Sequence, residues 1–303
     1  MAVGTLTKGD RQAGRIGLPG VYALLLLPAT ALLVVFYLLP LAQILHVSVT
    51  ELDVDAEGYW LGNYGLLLTD PGIQRMLWRT ARICVVTTVL TVMLGYVVAY
   101  AMVHVQDRQR TLMLFGVLLT FWLSVLIRAF AWIILLRNNG LAHEAVSVLY
   151  DPLREFGVFE GRLRLVRSET GVIIGMVHFM LPYAILPLFA NMQGIDQRVI
   201  LAARGLGASA FGAFWRIWLP LSRPGVIGAA ILVFVFSLGF FVTPALLGGG
   251  KVVMIAEYIW FSMEATLRWG LATMLATTML VTTLGLILVM SRIVDLRTMY
   301  GAK

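Results

Sequence analysis

The chain has 303 residues, of which 60% are hydrophobic and 13% are charged, and its mean hydropathy is +0.88. Soluble domains carry charge on roughly 25% of their residues, so this composition excludes that class and predicts a membrane protein. The formal net charge is +7. The basic residues stand at the ends of apolar runs, not on one helix face with interleaved aromatic residues, which argues against nucleic-acid binding.

Six apolar runs are long enough to cross a bilayer, which requires about 20 helical residues. Open sheet edges cannot be satisfied in lipid and no alternating barrel pattern is present, so every run is predicted to be a helix. The sequence therefore predicts an all-α membrane protein with an arm at 1–20, a transmembrane domain at 21–291 and a tail at 292–303. The runs are 21–47, 80–103, 112–136, 171–190, 225–247 and 271–291.

The distribution of lysine and arginine predicts the orientation, because these residues favour the cytoplasmic side of short loops. The sides assigned to the cytoplasm carry Lys8, Arg11, Arg15, Arg108, Arg110, Arg198, Arg204, Arg216, Arg292, Arg297 and Lys303. The first outer loop is acidic, with Glu51, Asp53, Asp55, Glu57 and Asp70 against Arg75. The second outer loop opposes this assignment, because it contains Arg137, Arg154, Arg162, Arg164 and Arg167. That loop is long and roughly charge-balanced, so we predict that both termini are cytoplasmic.

The N-terminal arm has a second interpretation, as a cleaved secretory peptide with Ala29, Thr30 and Ala31 as the cleavage site. The apolar run continues past Ala31, which favours an uncleaved first span. The two outer segments at 48–78 and 137–168 are too long to be simple turns. Trp60, Tyr64 and Trp78 fit either an aromatic belt at the lipid headgroups or contacts with a partner.

The connection between the fourth and fifth spans, at about 194–224, has the signals of a short helix-turn-helix. Asp196 can cap a helix, and Val199, Ala203, Leu206 and Ala210 recur at helical spacing. Gly205 and Gly207 permit a left-handed turn, and Ser209 can cap a second short helix. Arg204 offers a fork of donors to an acidic partner. The alternative is an interfacial helix that lies on lipid.

Residues 201–207 (LAARGLG) followed by 217–220 (IWLP) resemble the EAA loop of ABC importer permeases. The leading acid of that motif is replaced by Leu201. The resemblance implies that the loop helix enters a cleft on an ATP-hydrolysing subunit and transmits its closure to the spans. The residues carried over to this coupling role are Ala202, Ala203, Gly207, Ile217, Leu219 and Pro220.

Three further strings, at 121–132, 137–140 and 241–250, resemble the spermidine/putrescine branch of these permeases. The resemblance implies the membrane subunit of an ATP-driven importer of a small organic solute, a polyamine such as putrescine or spermidine, with a type I importer permease fold in a bacterial inner membrane. It implies as partners a second related permease, two ATP-binding subunits and an extracytoplasmic substrate-binding protein, with ATP bound by the partners. The alternatives are import of another small solute, such as an amino-acid derivative, and an ATP-independent transporter or channel.

An enzymatic function is not supported by the sequence. His143 and Glu144 begin like a zinc-protease motif, but Ser147 stands where the second histidine is required, and no metal site is predicted. Gly205, Gly207 and Gly212 lack the Lys-Ser/Thr of a phosphate-binding loop. We therefore predict a non-catalytic subunit.

Five residues are candidates for the substrate pathway: Arg128, Trp132, Tyr183, Phe241 and Glu257. Arg128 stands out because an ionisable group within a span predicts a functional site, although it could also snorkel or pair with a loop acid. The three aromatic side chains could hold a cation. His178 and Tyr183, near Pro182 and Pro187, and the segment from Gly239 could line a pathway where helices break; helix packing is the alternative for each of them.

Overall fold

The computed structural model of the protein describes residues 18–56, 58, 61–155 and 163–293. Every regular element in these ranges is a helix, which confirms the predicted all-α class. Some residues used above lie outside the described residues, and the inferences that depend on them remain predictions: Lys8, Arg11, Arg15, Glu57, Trp60, Arg162, Arg297 and Lys303.

The helices follow one another with short connections. In chain order they are α1 (Leu18–Leu33), α2 (Leu39–Thr50), α3 (Gly62–Thr69), α4 (Pro71–His104), α5 (Asp107–Trp122), α6 (Val125–Leu136), α7 (Leu141–Glu155), α8 (Glu169–Gln193), α9 (Gln197–Gly205), α10 (Ala210–Ala213), α11 (Leu219–Leu238), α12 (Val242–Gly248), α13 (Ile255–Glu264) and α14 (Trp269–Ile293). A π-helical turn at Val34–Leu38 joins α1 to α2, and another at Phe214–Trp218 joins α10 to α11.

Five helical stretches of the described residues are long and apolar enough to cross a membrane unbroken: Leu25–Thr50, Pro71–His104, Glu169–Gln193, Ala210–Leu238 and Trp269–Val289. The predicted third span is not one straight helix, because α5 and α6 meet at 99°. Leu123 and Ser124 separate them with extended backbone, at ψ 129° and 138°. Counting this bent pair as one span gives six in the described part of the chain.

The second span begins earlier than the hydropathy pattern predicts. Helix α4 starts at Pro71, and the Asp70 carboxylate caps it by accepting hydrogen bonds from the N–H groups of Gly72 (2.6 Å) and Ile73 (3.3 Å). A capping acid followed by proline at the first helical position is a strong local start signal. The first turns of α4 are therefore helical, although they lie before the apolar run.

The predicted fifth span at 225–247 is wrong at both ends. The span helix starts at Ala210 and runs to Leu238, where Gly239 ends it and a short α12 follows. In the π turn, the N–H of Leu219 donates to the carbonyl of Phe214. This wider turn comes just before Pro220, which has no N–H to donate, and it lets the helix pass the proline without ending.

Helix α8 is the centre of the bundle and packs against α4, α11 and α12. It is continuous despite Pro182 and Pro187, so of the two interpretations given for this segment the structure has helix packing and no break. Two glycines of its neighbours allow close approach: a Cβ at Gly95 would lie 3.0 Å from the Cβ of Ala184, and one at Gly225 would lie 2.7 Å from that of Asn191. Small residues at such crossings let membrane helices pack backbone to backbone.

Candidate coupling loop and pathway residues

The loop helix α9 is defined at both ends by local hydrogen bonds. The Asp196 carboxylate accepts from the N–H of Arg198 at 2.9 Å, as the capping prediction requires. At the other end, Gly207 has φ +92°, the left-handed conformation that L side chains rarely adopt. The N–H of Gly207 bonds to the carbonyl of Arg204 and that of Ala208 to the carbonyl of Ala203, both at 3.0 Å. This pair of bonds is a Schellman motif, which ends the helix at a fixed position.

A second short helix, α10, follows the turn directly. Ser209 caps the next helix, since its Oγ accepts from the N–H of Gly212 at 3.1 Å. That helix is the short α10, which runs on through the π turn into the long apolar stretch Ala210–Leu238, so the predicted second short helix is present but continuous with the fifth span. One turn therefore separates α9 from the helix that leads into this apolar stretch.

The residues of α9 and of the turn after it are mostly exposed. Ala202, Arg204 and Gly207 are exposed, and Ala203 is half-buried. Leu201, at the position of the missing acid, is 64% exposed, and Leu206 is 91% exposed. Apolar side chains exposed on a loop outside the spans form a surface that another protein can cover.

The remaining residues carried over from the motif occupy a different environment. Ile217, Leu219 and Pro220 are half-buried in the π turn and at the start of α11. They lie inside the long helix, whereas Ala202 and Arg204 lie on the surface. Their position fits a role in fixing the base of the loop.

An aromatic cluster joins the base of this loop to α4. The Tyr100 ring lies 5.4 Å from Trp218 and 5.7 Å from Phe214, and the His104 ring lies 5.0 Å from Trp218. The two Tyr100 contacts are edge-to-face, a packing that is specific in its geometry. A cavity of about 210 Å³ lies between this cluster and α9 and is lined in part by Leu201 and Arg204. Helices α4, α9 and α11 therefore meet at this end of the bundle, which we call the α9 end.

The structure brings together only some of the predicted pathway residues. Arg128 lies on the first turns of α6, with its guanidinium carbon 4.2 Å from the centroid of the Phe179 ring. Tyr183 stacks on the same Phe179, with the ring centroids 6.1 Å apart. Trp132 contacts a different residue of α8, His178, at 5.6 Å between centroids.

The other two predicted residues form a separate group. Phe241 lies at the start of α12 and contacts Trp260 of α13 at 5.7 Å between centroids. Glu257 is half-buried on α13, one helical turn before Trp260, and its Oε2 has no hydrogen-bond partner among the described residues. Burial raises the pKa of this carboxyl above its ordinary value.

Phe179, the ring that lies against Arg128, was missed at the level of sequence. Phe179 precedes Tyr183 by four residues on α8, a spacing that places both on one helix face. That spacing was a usable signal. Phe236 and Phe240 join the group through the end of α11, which no sequence pattern places there.

At the end opposite α9, charged residues pair across elements that are distant in sequence. Arg268 donates from Nε to Asp53 at 2.8 Å and from Nη2 to Asp55 at 2.6 Å. Glu169, at the start of α8, pairs with Arg79 at 3.2 Å and also with Arg82 of α4. Two acids of the predicted acidic loop are thus neutralised within the chain.

Comparison with known proteins identifies the family. No protein-family model matches the chain. The spermidine/putrescine transport system permease protein PotB of Haemophilus influenzae is 32% identical over 75% of this chain and 78% of its own length. PotB of Escherichia coli K12 is also 32% identical, over 75% of this chain and 81% of its own length. The chain belongs to the PotB family of ABC transporter permeases.

Solved structures show that this permease shares the fold of other ABC transporter chains. A chain of a bacterial alginate ABC transporter, solved with an alginate-bound periplasmic protein, aligns over 93% of the permease and 96% of its own length. Its TM-score is 0.70 at 16% sequence identity. At that identity the likeness concerns the fold alone.

The Asp53–Arg268 pair predicts how the stability of the permease depends on pH. The hydrogen bond from Arg268 holds the pKa of Asp53 below its ordinary value. A lowered folded-state pKa contributes stability above the unfolded pKa of about 3.9, and this contribution is lost as pH falls through the folded pKa. We expect the pair to raise the melting temperature of the detergent-solubilised permease from pH 7 down to about pH 5. This stabilisation should be lost below about pH 4.

The variant Asp53→Asn is the control for that measurement, because it keeps the oxygen that accepts the N–H of Asp55 and loses the charge. It should melt a few degrees lower at neutral pH and show a weaker decline in acid. An equal decline in both proteins would contradict the assignment of this pH dependence to Asp53.

Proposed function

We propose that this permease is one of two membrane subunits of an ATP-driven importer that carries a polyamine, putrescine or spermidine, across a bacterial inner membrane. The observation that carries the proposal is the 32% identity, over three quarters of the chain, to permeases named for spermidine and putrescine transport. The five long apolar helices and the bent pair supply the membrane-spanning bundle in contact with lipid.

In this proposal the α9 loop is the coupling element. Ala202, Ala203, Arg204 and Gly207 dock into an ATP-binding subunit, and one such subunit serves each permease. Ile217, Leu219 and Pro220 fix the loop to the span helix that follows. Because ATP binds on those partners, this chain needs no cofactor and no catalytic residue.

Movement of α9 reaches the pathway through packed contacts. The Trp218 and Tyr100 rings couple α11 to α4, and the close crossings at Gly95 and Gly225 couple both helices to α8. Packed helices shift as units because their interfaces have few discrete arrangements. The extracytoplasmic binding protein docks at the opposite end, where α3, α7 and α13 lie between the spans.

Arg128 is the observation that favours a second candidate, import of a zwitterionic solute such as an amino-acid derivative. Its guanidinium has no carboxylate partner among the described residues, and a carboxylate of the solute could supply one. The uptake experiment below separates the two solute classes.

The orientation follows from placing α9 in the cytoplasm. An alkaline phosphatase reporter should be inactive when fused after Arg108 or Lys303 and active when fused after Asp70 or Asp151. An active fusion at Lys303 would place the C-terminus outside and contradict the proposal.

Uptake tests the substrate directly. Cells that express the complete importer should accumulate labelled putrescine or spermidine, and cells that lack only this chain should lose nearly all of that uptake. The same cells are tested with 4-aminobutyrate and with an anionic solute. If the cells take up one of these solutes and no polyamine, the assignment as an importer stands and the assigned substrate is wrong.

A further inference from the structure

Arg128 holds its charge in an unusual environment. Its guanidinium carbon lies 4.2 Å above the Phe179 ring, within the range of a cation–π interaction. Its Nε is buried without a hydrogen-bond partner among the described residues. Within those residues no aspartate or glutamate pairs with it. The contact the structure provides for this cation is therefore an aromatic face.

Five aromatic rings form a continuous group at this point, which we call the aromatic cage: Phe121, Phe179, Tyr183, Phe236 and Phe240. The Phe179 centroid lies 4.4 Å from that of Phe240, and the Tyr183 centroid lies 4.8 Å from that of Phe236 and 5.2 Å from that of Phe121. These residues come from α5, α8, α11 and the segment after α11. Phe121 and Phe236 are more than 40% exposed, so the cage opens on the surface of the single chain.

We propose that the aromatic cage is a binding subsite for an ammonium group of the substrate, and that Arg128 is a tethered cation that occupies the subsite until substrate displaces it. This inference rests on the proposed function for the identity of the cation. A ring face that attracts a guanidinium attracts an alkylammonium by the same quadrupole. Two cations at one face repel each other, so the substrate can bind only as Arg128 leaves.

The position of Arg128 suits such a displacement. It lies one turn after the break at Leu123 and Ser124, where extended backbone interrupts the span. The arginine side chain is long and has several rotatable bonds, so it can leave the ring without unfolding α6. Competition from a tethered cation weakens substrate binding, which permits release to the next site. In the absence of substrate, its charge also opposes passage of inorganic cations.

The substitutions Arg128→Gln and Phe179→Leu test the cage through binding of labelled spermidine to the complete importer in nanodiscs without ATP. Arg128→Gln should tighten binding roughly three- to tenfold, because the competitor is gone, and Phe179→Leu should weaken it by a similar factor. Arg128→Lys should stay close to the original protein. Arg137→Gln is the matched control, since Arg137 is exposed at the other end of α6 and should change nothing.

The double variant Arg128→Gln/Phe179→Leu separates displacement from general repulsion. If Arg128 acts by occupying the Phe179 ring, its removal should gain much less in the Phe179→Leu background. An undiminished gain there would overturn the proposal, because it would show long-range repulsion alone. Weaker spermidine binding by Arg128→Gln, preserved by Arg128→Lys, would also overturn it, since it would assign Arg128 to an anionic group.

A second measurement does not depend on the transported solute. Millimolar methylguanidinium should raise the melting temperature of Arg128→Ala by filling the cage, and it should not do so for Arg128→Ala/Phe179→Leu. If methylguanidinium stabilises Arg128→Ala but the original importer takes up no polyamine, the cage proposal stands and the proposed substrate is wrong. If the original importer takes up polyamine but methylguanidinium does not stabilise Arg128→Ala, and the double variant shows no coupling, the cage proposal is wrong. The polyamine assignment then still stands.

Discussion

Replacing Gly207 with tryptophan is expected to reduce ATP-driven uptake by a factor on the order of 100, while the protein still folds and inserts. Two physical effects combine. The backbone at Gly207 has φ +92°, which costs an L residue roughly 1–2 kcal/mol. No atom lies within 4 Å of an added Cβ, so the indole would project from the surface that we assign to docking. The measurement is stimulation of ATP hydrolysis by the loaded binding protein in the reconstituted complex.

Two smaller substitutions separate bulk from strain. Gly207→Ala introduces the same backbone strain without the bulky ring and should retain most of the coupling with a small loss of thermal stability. Gly205→Ala adds a Cβ in open space at an ordinary helical position and should behave like the original protein. Full stimulation of ATP hydrolysis in Gly207→Trp would contradict the assignment of α9 as the coupling element.

Replacing Gly270 with valine is expected to destabilise the fold by about 3 kcal/mol, the upper part of the range for overpacked sites. A Cβ at Gly270 would lie 2.0 Å from the carbonyl oxygen of Glu51. That oxygen also accepts a 2.7 Å hydrogen bond from Asn63. The clash is with backbone, which cannot rotate away, so α2 and α14 must separate. Thermal melting in detergent should show a loss of about 2–4 °C per kcal/mol.

The control for Gly270 is a glycine of the same helix without neighbours. No atom lies within 4 Å of an added Cβ at Gly285, so Gly285→Ala should melt at the original temperature or slightly above it, because alanine favours the helix. If Gly270→Val melted together with Gly285→Ala, the close approach of Glu51 to α14 would not be a determinant of stability.

Local hydrogen-bonding signals were predicted correctly where their partners are near in sequence. The Asp196 cap, the Ser209 cap and the left-handed Gly207 each depend on atoms within five residues. Such bonds are encoded by residue type and spacing alone. The family was equally accessible, because the motif around Arg204 and the branch strings are contiguous in the sequence.

Span boundaries were predicted less well, because hydropathy measures transfer to lipid and not the end of a helix. Helix α4 extends nine residues before its apolar run, where Asp70 and Pro71 start it. The span after α9 begins at Ala210 for the same reason, with Ser209 as its cap. In both cases polar residues outside the apolar run continue the helix.

The sequence by itself determined the membrane class, the all-α fold, the caps of α9 and the resemblance to ABC importer permeases. The class and the fold follow from composition, the caps from contacts within one helical turn, and the resemblance from short strings of the sequence. Only the tertiary structure decided the 99° break between α5 and α6, the pairing of Asp53 with Arg268 and the placement of Arg128 on Phe179. Asp53 and Arg268 are 215 residues apart. Contacts of this kind form because helix packing brings distant segments together, and a short sequence window contains no record of that packing.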